Sequence, residues 1–204
     1  MKIEKIKIQN EGYVYCRSGF YTAFDVPSKN NKYEFVRGIN KLIGEIDSGN
    51  WAISYLLSMY THKPEDFTLF EEAKVFVNDE IMSVDKLAEY SCYIDETYPL
   101  FSTDFSIREL VKDGIEKNKF NYSPDDIKDL FCIDSQRFER PVKCVGNERF
   151  RAMSAIGFCN NKEIYCFPWL SHHRYEAFHR NLSGLMEILE SLNKIVIVPI
   201  GKKD

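Results

Sequence analysis

The apolar positions divide the chain into short strands and helices. Residues 2–8 alternate polar and apolar side chains, with Ile3, Ile6 and Ile8 as the apolar set, and predict a half-buried strand. Gly12 interrupts it, and the aromatic and β-branched stretch 13–26 predicts one or two more strands. Polar residues 27–32 form a turn, and residues 38–43 a short apolar strand. Beyond Asn50, Trp51, Ser54, Tyr55 and Met59 recur at helical spacing, as do Ala52, Leu56 and Tyr60, so a largely buried helix runs towards Pro64. Residues 73–77 and 91–94 read as strands around a helix over 83–90, with Ser83 as its N-cap. A loop containing Pro99 covers 95–101.

Residues 106–118 place Ile107, Leu110, Val111 and Ile115 on one helical face. Ser123-Pro124-Asp125-Asp126 is a helix start: a capping Ser, a first-turn Pro, and acids at the positive end of the helix dipole. That helix reaches about Phe131. Another opens at Gly146-Asn147-Glu148 and continues through Phe158; residues 163–167 form a strand after a polar turn. An amphipathic helix over 175–192 carries the stripe Phe178, Leu182, Leu185, Leu189 and Leu192. Ile195-Val196-Ile197-Val198 is continuous in β-branched residues, as in a central parallel strand buried on both faces. This order predicts an α/β architecture with N-terminal antiparallel strands and a mainly parallel core sheet. The expectation is one domain over 1–204, with 1–101 and 145–204 as α/β core and about 102–144 as a small helical subdomain.

Composition narrows the function classes. The chain has 204 residues, 44% of them hydrophobic, enough for a sizeable core. Its net charge of −4 provides no overall basic footprint, which disfavours nucleic acid as a partner. No apolar run reaches the length of a membrane span and the N-terminus lacks a signal-type core, so a cytosolic protein is expected. The six cysteines form no C-x-x-C pair and mostly lie in apolar segments, which predicts buried free thiols in a reducing compartment. His172, His173 and His179 have no acidic or Cys ligand at matching spacing, and no metal site is predicted. The pairs Asp95-Glu96 and Asp125-Asp126 read as solvation and capping.

The candidate chemistry centres on Gly44-Glu45-Ile46-Asp47-Ser48-Gly49-Asn50-Trp51. Two glycines five residues apart, between a strand and a helix, are the frame of the phosphate-binding loop G-x-x-x-x-G-K-[ST]. Here Asn50 holds the Lys position and Trp51 the hydroxyl position. The frame is present without its charge and without its metal-binding oxygen.

With this loop in place, the chain resembles a degenerate ATP-binding-cassette ATPase domain over nearly its whole length. The phosphate loop matches at Gly44, Ser48 and Gly49. The Gln-loop region resembles residues 93–101, with Glu96 nearest the Gln, and Ser106-Ile107-Arg108-Glu109 resembles the opening of the next family helix. The signature aligns with Cys144-Val145-Gly146-Asn147-Glu148, followed by Arg151 and Ala155 where the family has Arg and Ala. The family's Asp-Glu pair lands on Pro168-Trp169, and its switch His close to Ile200.

The resemblance implies vestigial nucleotide contacts at Gly44, Ser48, Gly49, Asn50, Trp51 and Glu96. It implies a partner-facing remnant at Val145, Gly146, Asn147, Glu148 and Arg151. No catalytic residue is assigned, because phosphoryl transfer rests on charge stabilisation and the charged positions have been replaced. The loop is expected to be an inherited turn with Trp51 packed into the vacated pocket. The expected function is that of a silent cassette subunit acting through another ABC ATPase subunit, a transmembrane permease or a homodimer, at the inner face of the membrane only through that partner. One alternative is a regulatory protein that binds ATP or another anion weakly without hydrolysis; another is a new activity in the old cleft built from Glu96, His172, His173 and the cysteines.

Overall fold

The computed structural model describes residues 1–9, 15–16, 32–45, 50–58, 67–68, 74–177 and 179–203. Its strands are β1 (Lys5–Gln9), β2 (Tyr15–Cys16), β3 (Lys32–Val36), β4 (Gly38–Ile43), β5 (Phe67–Thr68), β6 (Lys74–Val77), β7 (Glu80–Met82), β8 (Ser91–Tyr93), β9 (Ile164–Cys166) and β10 (Ile195–Ile200). The helices are α1 (Asn50–Ser58), α2 (Val84–Ala88), α3 (Ile107–Asn118), α4 (Pro124–Leu130), α5 (Ser135–Phe138), α6 (Arg149–Cys159), α7 (His172–Ala177) and α8 (His179–Ser191). An antiparallel sheet runs β3-β1-β6-β7, a parallel sheet runs β4-β10-β9-β8, and β2 pairs with β5. These are the α/β class, the parallel core and the N-terminal antiparallel strands expected from the sequence.

Burial follows the pleat. Ile6 and Ile8 of β1 face inward, while Lys5 and Lys7 bind Asp79 at 2.9 Å each. In the parallel sheet every residue of β10, β9 and β8 is buried. Their side chains alternate between two cores. Val196, Val198 and Tyr165 point to one, shared with α3, α6 and α8; Ile195, Ile197 and Cys166 point to the other, shared with α1, α2 and the antiparallel sheet. A parallel sheet covered on both faces accounts for the uninterrupted apolar run of β10.

Asn40 ties the two sheets together. Its amide nitrogen donates to the carbonyls of Val36, Gly38 and Val196 at 2.8, 3.0 and 3.2 Å, and its oxygen accepts from Val36 N at 3.1 Å. A second tie is ionic. Glu163 accepts from Lys194 at 2.6 Å and lies 3.4 Å from Arg37, which also binds Glu4 at 2.8 Å and donates to the Asn193 carbonyl.

Both predicted helix starts over 106–126 carry complete capping boxes, Ser106 with Glu109 and Ser123 with Asp126. The segment 102–144 contains α3, α4 and α5. Its apolar residues Ile107, Val111, Ile127, Phe131 and Phe138 lie in the same core as Ala152 and Tyr165, so they extend the main core.

Several expectations need correction. Strand β3 occupies residues that the periodicity left between a turn and β4, and β7 is the return strand of a hairpin. That hairpin turns on Asn78 and Asp79, both at positive φ, a conformation that Asn and Asp tolerate. The helix expected over 175–192 starts earlier, because the Ser171 hydroxyl accepts from Arg174 N at 3.2 Å and begins α7 at His172; a second segment, α8, follows. Leu182, Leu185 and Leu189 of its stripe are buried, and Phe178 lies outside the described residues. Cys92, Cys159 and Cys166 are buried, but Cys132 and Cys144 are exposed, the first at the end of α4 in a left-handed conformation. Most of stretch 13–26 lies outside the described residues.

Candidate functional site

Because β4, β10, β9 and β8 are parallel, their C-terminal ends share one edge, where open α/β sheets bind ligands. Gly44 follows β4, residues 94–96 follow β8, Pro168-Trp169 follow β9 and Gly201 follows β10. Backbone hydrogen bonds continue past the strands: Gly44 N to Ile200 O at 2.8 Å, Leu170 N to Pro199 O at 3.0 Å and Gly201 N to Leu170 O at 2.8 Å.

Trp169 reaches across this edge. Its indole Nε1 donates to the Gly44 carbonyl at 3.1 Å, joining the end of β9 to the start of the glycine frame. The ring lies 3.1 Å from where a side chain on Gly201 would begin, so glycine is the residue that fits there. Glu45, which the motif left unassigned, accepts from Lys202 N at 3.1 Å and closes the same corner. Gly44 is buried and α1 begins at Asn50, so the strand–loop–helix frame stands at both ends. Residues 46–49, with Ser48 and Gly49, lie outside the described residues, as do the side chains of Asn50 and Trp51.

Glu96 is held elsewhere. It accepts from Arg149 at 3.2 Å, at the start of α6, while its neighbour Asp95 binds the backbone and hydroxyl of Thr97 at 3.0 and 2.6 Å. Gly44 and Asp95 sit at opposite edges of the sheet, three strand spacings apart, or roughly 14 Å.

The proposed partner-facing set divides. Val145 is a correction: its side chain is 2% exposed and belongs to the core, as its apolar character favours. Glu148 binds Arg137 at 2.7 Å and accepts from Asp134 N at 3.0 Å, and Arg151 donates to the Phe131 carbonyl at 3.1 Å. These two brace the helical segment against α6. Gly146, at positive φ, and Asn147 are the exposed members.

Burial pushes the thiols of Cys92 and Cys159 up to about 12 and that of Cys166 well above the usual thiol range, which leaves them poor nucleophiles. His172 contacts Glu176 one turn along α7 at 2.9 Å. Among the described residues no group of His, Cys, Asp and Glu is placed to hold a metal ion. Neither Pro168 nor Trp169 offers a metal-binding oxygen from its side chain, so the residues at the end of β9 do not fit a Mg²⁺ ion there.

No protein-family model matches the chain, and no curated protein sequence does. Solved structures do. A Pyrococcus furiosus protein described as an ABC transporter ATP-binding protein aligns with 98% of this chain and 92% of its own, at 13% identity and a TM-score of 0.62. The fold is that of an ATP-binding-cassette ATPase domain. The cbiO1 protein of Clostridium perfringens, part of the ABC transporter complex cbiONQ, covers 99% of this chain and 80% of its own, at 11% identity and a TM-score of 0.62. A bacterial Atm1-family ABC exporter with ATP bound covers all of this chain at 12% identity and a TM-score of 0.60, and this chain spans 35% of that one. At these identities the likeness carries the cassette fold. What the site does rests on its residues.

Proposed function

We propose that this chain is a catalytically silent cassette subunit that works by binding a protein partner. The observation that carries this is the Trp169–Gly44 hydrogen bond, which spends an aromatic side chain on bridging the ligand edge of the sheet. Phosphoryl transfer proceeds by positioning and charge stabilisation, so its machinery is a set of cations, a metal and carboxylates. The frame of the glycine loop has Asn50 and Trp51 instead of Lys and a hydroxyl, and β9 ends in Pro168-Trp169. The partner is another cassette ATPase subunit, a membrane permease or a second copy of the chain. No helix among the described residues is long and apolar enough to cross a membrane, so attachment at the inner face would come through that partner.

A second reading is a regulator that holds ATP or another anion weakly. It is favoured by α1, whose first turn carries no acidic residue to repel an anion from the helix N-terminus.

Purified chain is expected to release no phosphate from ATP above background, and Asn50→Lys alone is expected to leave that unchanged. Hydrolysis by the unaltered chain overturns the silent reading; hydrolysis by Asn50→Lys alone overturns the account of the other missing groups. Thermal shift with millimolar ATP and Mg²⁺ separates the two readings: a ligand at 100 times its Kd stabilises by about 2.7 kcal/mol. Recovery of the tagged chain from its own cells should bring down a second cassette protein or a permease. Recovery as an unaccompanied monomer overturns the partner reading.

A further inference from the structure

Strand β4 lies at the edge of the parallel sheet. Among the described residues β10 is the only strand that pairs with it. Gly38 N donates to Lys194 O and Gly44 N to Ile200 O, each at 2.8 Å. Backbone groups alternate sides along a strand, so Gly38, Asn40, Leu42 and Gly44 face β10. Ile39, Lys41 and Ile43 turn their N–H and C=O groups away from it. The Gly44 carbonyl also faces inward, where it accepts from Trp169 Nε1 at 3.1 Å. The N–H of Glu45 is trans to that carbonyl and points outward. Such an open row of donors and acceptors is a template for another strand.

The side chains along this row follow an ordered pattern. Lys41, Ile43 and Glu45 alternate with Leu42 and Gly44 and share one face. Lys41 is exposed, with its ammonium over the Tyr175 ring, 5.3 Å from the centroid. Ile43 is 67% exposed, a large aliphatic side chain in the middle of an open edge. Glu45 is exposed and accepts from Lys202 N at 3.1 Å. Cation, apolar, anion is a sequence that complements itself when reversed. An antiparallel copy centred on Ile43 places each Lys41 opposite a Glu45 and Ile43 opposite Ile43. Centring on Lys41 would oppose two lysines, which is repulsive.

We infer that two copies of this chain pair antiparallel through β4, about a two-fold axis at Ile43, and join their parallel sheets into one continuous sheet. The Ile43 N–H of each copy donates to the Ile43 carbonyl of the other. The Lys41 and Glu45 pairs on either side fix the register. A partner of different sequence would have to present this pattern in reverse, whereas a second copy has it by construction. The contact uses the same edge of both copies, so association stops at two. The inference rests on the partner reading in naming a second copy as the partner, and it concerns this edge alone.

Sedimentation of the full-length chain tests it, and a dimer is expected. Ile43→Pro removes an outward N–H without touching a bond to β10, so it should give a folded monomer. Lys41→Glu and Glu45→Lys should each weaken the dimer about tenfold, because two like-charged pairs replace two opposite ones. Mixing these two single variants should restore association, since each chain then faces the charges it lacks. That readout holds even if Ile43→Pro fails to fold, and a change that merely damaged the fold would not be rescued by mixing. A wild-type monomer at high micromolar concentration overturns the inference. So does a dimer indifferent to all three substitutions, or a mixture that fails to associate. Recovery of a different protein from cells by a chain that is monomeric in solution would sink this inference and leave the partner reading standing.

Discussion

Trp169 and the buried thiols show how single residues set local chemistry: Trp169 at the ligand edge, the thiols in the core. An indole has one hydrogen to donate, and Trp169 gives it to Gly44, so nothing polar remains on that side chain for a ligand. Cys92 and Cys159 are neutral in the folded state up to about pH 12 and ionise near 9 once exposed. Above pH 9 the unfolded chain therefore binds fewer protons, and stability falls as pH rises, by about 1.4 kcal/mol per thiol per pH unit. Lys162 is lowered by its own burial and opposes this trend, as one group against three buried thiols, Cys166 included. Urea midpoints at pH 8, 9 and 10 are expected to hold and then drop; a constant midpoint would refute the account. At pH 8, iodoacetamide should label Cys132 and Cys144 in the native chain, and Cys92, Cys159 and Cys166 only after unfolding. Residue types alone left Glu45 without a role and placed Val145 on a partner-facing surface. Glu45 acts through a backbone amide far along the chain, and Val145 follows its apolar character inward rather than the register of a resemblance.

At the scale of elements, signals written in local sequence were legible. The capping boxes at Ser106 and Ser123 and the run 195–198 each state their structure within a few residues. Strand β7 was not legible, because its three residues become a strand only through pairing with β6. Nor was the close approach of α3 to α6. A side chain on Gly114 would begin 2.8 Å from Cys159 Cβ and 3.0 Å from its backbone. Gly114→Ala should gain up to about 1 kcal/mol of helix propensity. Overpacking costs about 1–3 kcal/mol, and because the obstacle includes backbone it should win. Net destabilisation in urea is the expected result; a stabilised variant would show that the two helices can move apart.

Across the whole molecule, Glu163 is the hinge pin of the ionic tie between the antiparallel and parallel layers. Its partners Lys194 and Arg37 are each about a tenth exposed, so neither cation can turn to water. Glu163→Gln should cost about 3 kcal/mol, chiefly from the stranded ammonium of Lys194. High salt should leave the wild-type tie largely intact. A loss below about 1 kcal/mol would place the tie among surface pairs of little consequence.

The position of β10 has a further consequence, for assembly. It lies between β4 and β9, and its first residue, Ile195, pairs with Gly38 and with Ile164. During synthesis β4 is made early, yet its neighbour in the sheet is made after every other strand among the described residues. Until then β4 and β9 have open edges, and the two cores on either side of the sheet lack their dividing wall. Closing a loop of that length is entropically slow, which makes insertion of β10 the late, committing step of folding. The nascent chain must therefore be shielded from neighbours that could pair with those edges in its place.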